Sequence, residues 1–396
     1  MSAFFKNNNN FRPRASKHRR ITMVISSLGC GGAERVMTSL AGYWAANGDQ
    51  LTIITLDSKA EGFYDLNDKV KVVPLSLLKP STSFLDATLS NIKRIESLRK
   101  AIISSKPDIV ISFLDTTNIL VLLATRLTGI PVIVSERTDP RVRSIGSFWE
   151  YLRKTLYPKA EAVMVQTEGL KPWACEMFKG TSIEVIHNPV SKPPARGETA
   201  SAITWDGEAV VGVGRLTWHK GFDLLIRAFA ECANKHPEWN LVVLGEGKER
   251  NNLEALAEDL GIADKVILPG NMTDISPILY KAGIFAMPSF FEGFPNALCE
   301  GMAHGLPAVS FDCPSGPSEI IRNGIDGILV PNKDITAMAS ALDHLMNNLE
   351  ERKRMGERAV EVVERFSFER AISAWDVIID RSLKNSEKNL PVCVEA

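Results

Sequence analysis

The chain has 396 residues, enough for two ordinary domains with full cores. Apolar residues at 45% and charged residues at 23% are the composition of a soluble globular protein, and a net charge of −1 gives no argument for a nucleic-acid partner. Six scattered cysteines without a CxxC spacing point to a reducing compartment without disulfides or structural zinc, and no apolar run reaches the ~18 residues of a membrane span.

Residues 1–19 carry Lys6, Arg12, Arg14, Lys17 and Arg19, no acid, and the run Asn7 to Asn10. This reads as a disordered basic tail. Phe4, Phe5 and Phe11 among the cations leave a second reading open, an anionic membrane surface, at roughly 1 kcal/mol per basic residue. The start lacks an apolar signal core, which argues for a cytoplasmic protein, free or peripheral on the cytosolic face of the inner membrane.

A strand from Ile21 enters Gly29-Cys30-Gly31-Gly32-Ala33-Glu34 and then a helix, and a second strand, Leu51 to Leu56, ends at Asp57. A dinucleotide fingerprint needs G-x-G-x-x-G. Gly29 and Gly31 fit it, but Glu34 stands where the third glycine belongs, and a carboxylate is poor company for a pyrophosphate. Asp57 lies where a dehydrogenase places its ribose-binding acid, so an NAD-dependent oxidoreductase built on Gly29, Gly31 and Asp57 stays open as an alternative. The later strands (Val70 to Pro74, Asp108 to Phe113, Pro131 to Val134, Ala160 to Val165, Ile183 to Ile186) are separated by helices. They predict an α/β domain with a doubly wound parallel sheet. The C-terminal ends of such strands line the crevice, which directs Glu136 toward it as a candidate acceptor contact, with Arg137 beside it. Arg141 to Lys159 interleaves five basic residues with Phe148, Trp149, Tyr151 and Tyr157, a composition that suits an interfacial helix and a half-buried surface helix equally. The first domain is expected over 20–190 and a linker over 191–198.

A second domain, 199–365, opens with the strand Ala209 to Val213 and the loop Gly214-Arg215-Leu216-Thr217-Trp218-His219-Lys220-Gly221. Arg215 and Lys220 stand at the positive end of the following helix, where two fixed cations could neutralise a diphosphate leaving group. An ordinary basic loop is the alternative. Strands follow at Leu241 to Leu244 and Val266 to Leu268, the latter leading into Pro269-Gly270-Asn271-Met272. The apolar run Gly283 to Pro288 reads as a buried strand. After it, Pro295 suits the first turn of a helix, and Gly305 stops that helix before Pro307. Glu292 then lies in the loop and Glu300 one turn into the helix, with seven residues between them. A helix N-terminus favours a phosphate. Carboxylates flanking it could accept hydrogen bonds from hydroxyls on either side of a bound diphosphate, the layout of a nucleotide-sugar. A solvated loop acid and a helix-face acid are the plain alternative. The last strand is Gly327 to Pro331. Helices follow, ending with 366–386 and a frayed tail, 387–396.

Glu292-x7-Glu300, the surrounding Glu292-Gly293-Phe294-Pro295-Asn296, Gly305-Leu306-Pro307 and the Gly-Arg-Leu-x-x-x-Lys-Gly run at 214–221 together resemble glycosyltransferase family 4, retaining enzymes with the GT-B fold. Ser135-Glu136-Arg137-Thr138-Asp139-Pro140 is similar to the subset that builds lipid-linked bacterial polysaccharides. The resemblance implies two Rossmann-like domains facing a central cleft, with the terminal helix crossing back to the first. It implies a sugar transferred from a nucleotide diphosphate sugar, UDP-linked, to a saccharide acceptor carried on a polyprenyl diphosphate at the membrane surface. Catalytic roles fall to Glu292 on the transferred sugar and to Arg215 and Lys220 on the diphosphate. Glu300 would hold the ribose, Met272 would lie near the base, and Gly293, Phe294, Pro295 and Asn296 would complete the donor loop. Gly31 and Gly32 would approach the donor phosphates. Glu136 occupies a place where several relatives have His, which removes the role of that His. The chain has no Asp-x-Asp. Arg215, Lys220 and helix N-termini would therefore do the work of a metal, and neither an essential metal nor a cofactor is expected. A non-catalytic nucleotide-sugar-binding protein is a further alternative.

Overall fold

Short β-branched runs closed by glycine or polar turns pair in parallel, and helices carry most of the crossovers; β2 to β3 is joined without one among the described residues. The computed structural model describes residues 18–388 apart from 30, 59–61, 79–83, 143 and 198–202. Most of the basic tail, Cys30, Arg143, the end of the expected linker and the C-terminal tail lie outside the described residues. The chain divides into two units, Met1–His187 with Ala371–Ala396, and Asn188–Arg370.

The first unit carries seven strands: β1 (Arg20–Ile25), β2 (Gln50–Thr55), β3 (Val70–Pro74), β4 (Ile109–Phe113), β5 (Val132–Ser135), β6 (Ala162–Val165) and β7 (Ser182–Val185). Their order is β3-β2-β1-β4-β5-β6-β7, all parallel, with Ile21 opposite both Leu51 and Ile109. The order reverses between β1 and β4, which is the topological switch point. Both faces are covered. Val24, Val110, Val134 and Val163 join helix residues such as Leu98, Ile119 and Leu122 in one core. The helix Phe368–Lys388 returns to this unit, where Trp375 stacks on Phe113 at 6.0 Å and meets Trp44 edge-on.

Arg19, expected to lie in the tail, is instead part of this unit. It is buried, and its guanidinium bonds Asp49 and Asp376 at the start of the sheet and on the returning helix. A lone cation at the end of a basic run gives no sign in the sequence that two distant carboxylates await it. Asp376 also accepts from the Trp44 indole, which ties the helix down further.

The second unit repeats the design with six strands: β8 (Glu208–Val213), β9 (Trp239–Leu244), β10 (Val266–Gly270), β11 (Ile284–Met287), β12 (Ala308–Asp312) and β13 (Gly327–Pro331). The parallel order is β10-β9-β8-β11-β12-β13, so its switch point lies between β8 and β11. The boundary to this unit falls earlier than expected. Val190 packs in its core, and Asn188 hydrogen-bonds Asn296 at 3.0 Å. Proline-rich composition marked the linker, but burial of Val190 fixes where the unit begins.

Candidate active site

The loops after β8 and β11 leave the second sheet on either side of its switch point, and both carry charge. After β8 the chain turns through Gly214 to Thr217 into a short turn, Trp218–Lys220, and reaches Gly221, which starts the helix Phe222–Ala233. Gly221 has a φ of 66°, and a Cβ there would lie 2.2 Å from the carbonyl oxygen of Pro288. Only glycine permits that approach. The contact brings the Lys220 loop against the loop after β11, and the Phe290 amide donates to the His219 carbonyl across it at 2.9 Å.

Lys220 Nζ lies 2.6 Å from Glu292 Oε1 as a result, with both side chains more than four-fifths buried. The Glu292 carbonyl accepts a 2.6 Å hydrogen bond from Ser315 Oγ on the loop after β12. Gly316, at φ 102°, lets that loop close on the Pro295 ring, where a Cβ would come within 2.6 Å. Glu292 is therefore fixed at its head by a lysine and at its backbone by a serine. Arg215 is exposed just after β8, and its side chain makes no hydrogen bond or ion pair among the described residues.

The helix after Glu292 spans Asn296–Ala303 with Pro295 as its cap residue, and Gly305, at φ 83°, follows its end. Glu300 lies half-buried on this helix, and its carbonyl accepts from His304 Nδ1 at 2.7 Å. Other expected donor contacts are structural in their side chains. Phe294 is buried in the core edge-on to Phe366, Pro295 is buried, and the Asn296 amide oxygen is held by Asn188. Phe294 and Pro295 shape the loop, which leaves their backbone groups and the Asn296 side-chain NH2 to meet a ligand. Met272 follows the edge strand β10 and packs half-buried against the core beneath it.

In the first unit, Gly31 caps the helix Gly32–Ala46. The Glu34 carboxylate folds back over Gly31, where a Cβ would meet it at 2.3 Å. Arg137 lies over the Phe113 ring at 3.7 Å. Burial lowers its pKa to about 9, and the charge of Glu34 opposes that shift. The carboxylate that spoils a dinucleotide fingerprint is thus a charge partner for Arg137.

Glu136 is not a crevice residue. It is 1% exposed and accepts a hydrogen bond from Tyr157, with Arg153 at 3.5 Å. Burial raises its pKa to about 7 against the pull of Arg153 and Tyr157. Tyr157 accepts in turn from Asn118 at 3.0 Å. The end-of-strand position was visible in the sequence, but the helix Ser147–Leu156, which brings Arg153 over Glu136, was not assigned to cover it. Asp139 is likewise buried and paired with Arg141. Ser315 and Tyr157 escaped the sequence reading as partners because neither hydrogen bond is local.

The arrangement in the second unit offers a lysine held at a helix start by a carboxylate, an exposed arginine on the same loop, and a second carboxylate on the next helix. Comparison with known proteins gives this arrangement a family. Residues 30–192 match the family described as Glycosyltransferase Family 4, and residues 200–362 match Glycosyl transferases group 1. Among curated relatives is the Campylobacter jejuni GalNAc-alpha-(1->4)-GalNAc-alpha-(1->3)-diNAcBac-PP-undecaprenol alpha-1,4-N-acetyl-D-galactosaminyltransferase. It is 28% identical over 90% of this chain and 97% of its own length. Among solved structures, the sucrose-phosphate synthase of Thermosynechococcus elongatus superposes with a TM-score of 0.79 over 92% of this chain and 99% of its own, at 17% identity. S. aureus TarM, solved in complex with UDP, gives 0.74 over 91% and 100%, at 16% identity. The chain therefore belongs to glycosyltransferase family 4: it is a glycosyltransferase with the two-domain GT-B fold.

Proposed function

We propose that the chain transfers a sugar from UDP-sugar, with retention of configuration, to a saccharide carried on a polyprenyl diphosphate, in the assembly of a bacterial surface glycan. The observation that carries this reading is the Lys220–Glu292 pair across the β8/β11 switch point, the place where open α/β sheets bind ligands.

Lys220 and Arg215 take the diphosphate, whose negative charge grows as the anomeric carbon–oxygen bond breaks. Glu292 orients the hydroxyls of the departing sugar, and Glu300 accepts from the ribose hydroxyls. The acceptor oxygen bonds to the anomeric carbon on the face that the diphosphate leaves, and its proton passes to the leaving phosphate oxygen. No covalent enzyme intermediate is assigned. Arg215, Lys220 and the start of the helix Asn296–Ala303 supply the positive potential, so no divalent ion is required. A polyprenyl-linked acceptor is supported by the Campylobacter relative, whose own acceptor is undecaprenol-linked, and a UDP donor by TarM.

The helix Ser147–Leu156 supports a membrane-surface location. Phe148 and Tyr151 are 64% and 66% exposed on it, one turn apart, and Lys154 is exposed on the next turn. Two basic residues of this stretch take no part, since Arg153 is buried and Arg141 is paired with Asp139.

The deciding experiment incubates the protein with UDP-, GDP- and ADP-sugars in EDTA, with and without polyprenyl-diphosphate-linked saccharide, and scores nucleoside diphosphate release and product anomer. Release from a UDP-sugar that depends on the lipid-linked acceptor, with an α product, is expected. Release only from another nucleotide, only with added metal, or with a β product would overturn the corresponding part.

A further inference from the structure

The second unit holds a pocket of about 430 Å³ lined by the Thr217–Trp218 turn, Phe290 and the helices Phe222–Ala233 and Arg250–Asp259. No part of the transfer reaction described above uses it. Trp218 and Phe290 form one end. The Trp218 ring is 62% exposed although it lies within 6.0 Å of both Phe290 and Phe291. An indole left in water at the mouth of a pocket keeps a large apolar face available. The walls add Asp223 and Arg227 from the first helix, Glu249 at the cap of the second, and Asn252 and Asp259 within it, with Asn252 Nδ2 donating to Glu249 at 2.8 Å. The side chains of Asp223, Arg227 and Asp259 make no hydrogen bond or ion pair among the described residues.

We propose that this pocket is a second saccharide-binding site, which takes a neutral oligosaccharide away from the reaction centre. A pyranose presents a face of C–H groups and a rim of hydroxyls. The face packs on an aromatic ring by dispersion, and the rim donates to carboxylates and accepts from guanidinium and amide groups. Trp218 with Asp223, Asp259, Arg227 and Asn252 supplies both kinds of partner in one concavity, as a small-molecule site requires. The charge selects within the class. Three carboxylates, Asp223, Glu249 and Asp259, against one guanidinium disfavour a nucleotide, a phosphate or a uronic acid. The site would hold a glycan chain, acceptor or product, while the donor site turns over.

The test is isothermal titration of the full chain, held in saturating UDP, with maltotetraose, chitotetraose and tetragalacturonate. Saturable binding of at least one neutral tetrasaccharide is expected, with none for tetragalacturonate. Trp218→Ala should weaken that binding by about tenfold, the loss of one aromatic platform. Asp223→Asn with Asp259→Asn should weaken it without touching the loop, which guards against a Trp218 variant that merely unsettles the turn. Glu292→Gln should leave it unchanged. No saturable binding of either neutral glycan, binding indifferent to both sets of variants, or preference for the anionic glycan would overturn the proposal. So would binding seen only when UDP is left out, which would assign it to the transfer site.

Discussion

The two units share one design and use its most reactive place in opposite ways. In each, the strand order reverses next to the first strand, and a glycine-bearing loop leaves that strand's C-terminal end. In the second unit the charged residues around that edge stay near the surface, with Lys220 and Glu292 each partly open and Arg215 exposed. In the first, Glu136, at the end of β5 one strand beyond the switch point, and Arg153 turn inward and become a buried network with Tyr157 and Asn118. Topology sets where a site can form, and burial decides whether a charge there serves chemistry or architecture.

If that contrast holds, variants of the first unit should fail as folding variants and those of the second as catalytic ones. The largest effect belongs to Arg153→Ala. It strips the buried Glu136 carboxylate of its cation and should cost about 3–5 kcal/mol of stability at alkaline pH, read by urea unfolding. A loss of activity at unchanged stability would instead place Arg153 in a working site.

Glu136→Gln sharpens the same point through pH. The Glu136 pKa is raised from 4.5 to about 7, chiefly by burial. Between those values the folded state keeps a proton that the unfolded chain gives up, so this group's contribution is full below pH 4.5 and is lost as pH rises through about 7. The stability of the parent chain relative to Glu136→Gln should therefore fall by up to roughly 3 kcal/mol from acid to alkaline pH. Parallel stability curves would mean that the carboxyl titrates in the folded chain as it does in the unfolded one.

Lys220→Ala should reverse the pattern. Turnover should drop by ~100-fold or more, the loss of a cation aimed at developing charge. Stability should shift by no more than about 1 kcal/mol, since the pair with Glu292 is only partly desolvated. Near-normal turnover would remove Lys220 from the diphosphate.

Much of this was legible in the sequence. The strand–helix alternation, the helix bounded by Pro295 and Gly305, and the placement of Glu292 and Glu300 on loop and helix follow from local periodicity and turn chemistry. The approach of the two loops at one switch point rests on the β8–β11 pairing, which only the structure gives. What stayed hidden depends on side chains distant in sequence. Arg19 looked like tail because its partners, Asp49 and Asp376, lie in other elements. Glu136 looked accessible because a strand end says nothing about which helix folds over it. Phe294 looked like a donor contact because its neighbours carry the motif, yet its ring fills the core beside Phe366.

The smallest predicted effect separates two uses of the loop after β12, whose glycine turn reads equally well as a phosphate contact. Ser315 is buried, and its hydroxyl is spent on the Glu292 carbonyl at 2.6 Å. That hydrogen bond holds the backbone of the Glu292 loop, and under the proposed function the serine would act through Glu292 rather than on the diphosphate. Ser315→Ala removes about 1 kcal/mol of positioning. It should therefore lower kcat by about fivefold, leaving UDP affinity, measured by titration, where it was. Lys220→Ala, by contrast, should weaken UDP binding and turnover together. If Ser315→Ala loses UDP affinity in step with kcat, the hydroxyl leaves Glu292 for the phosphate when the donor binds. The β12 loop would then belong to the diphosphate site beside Arg215 and Lys220.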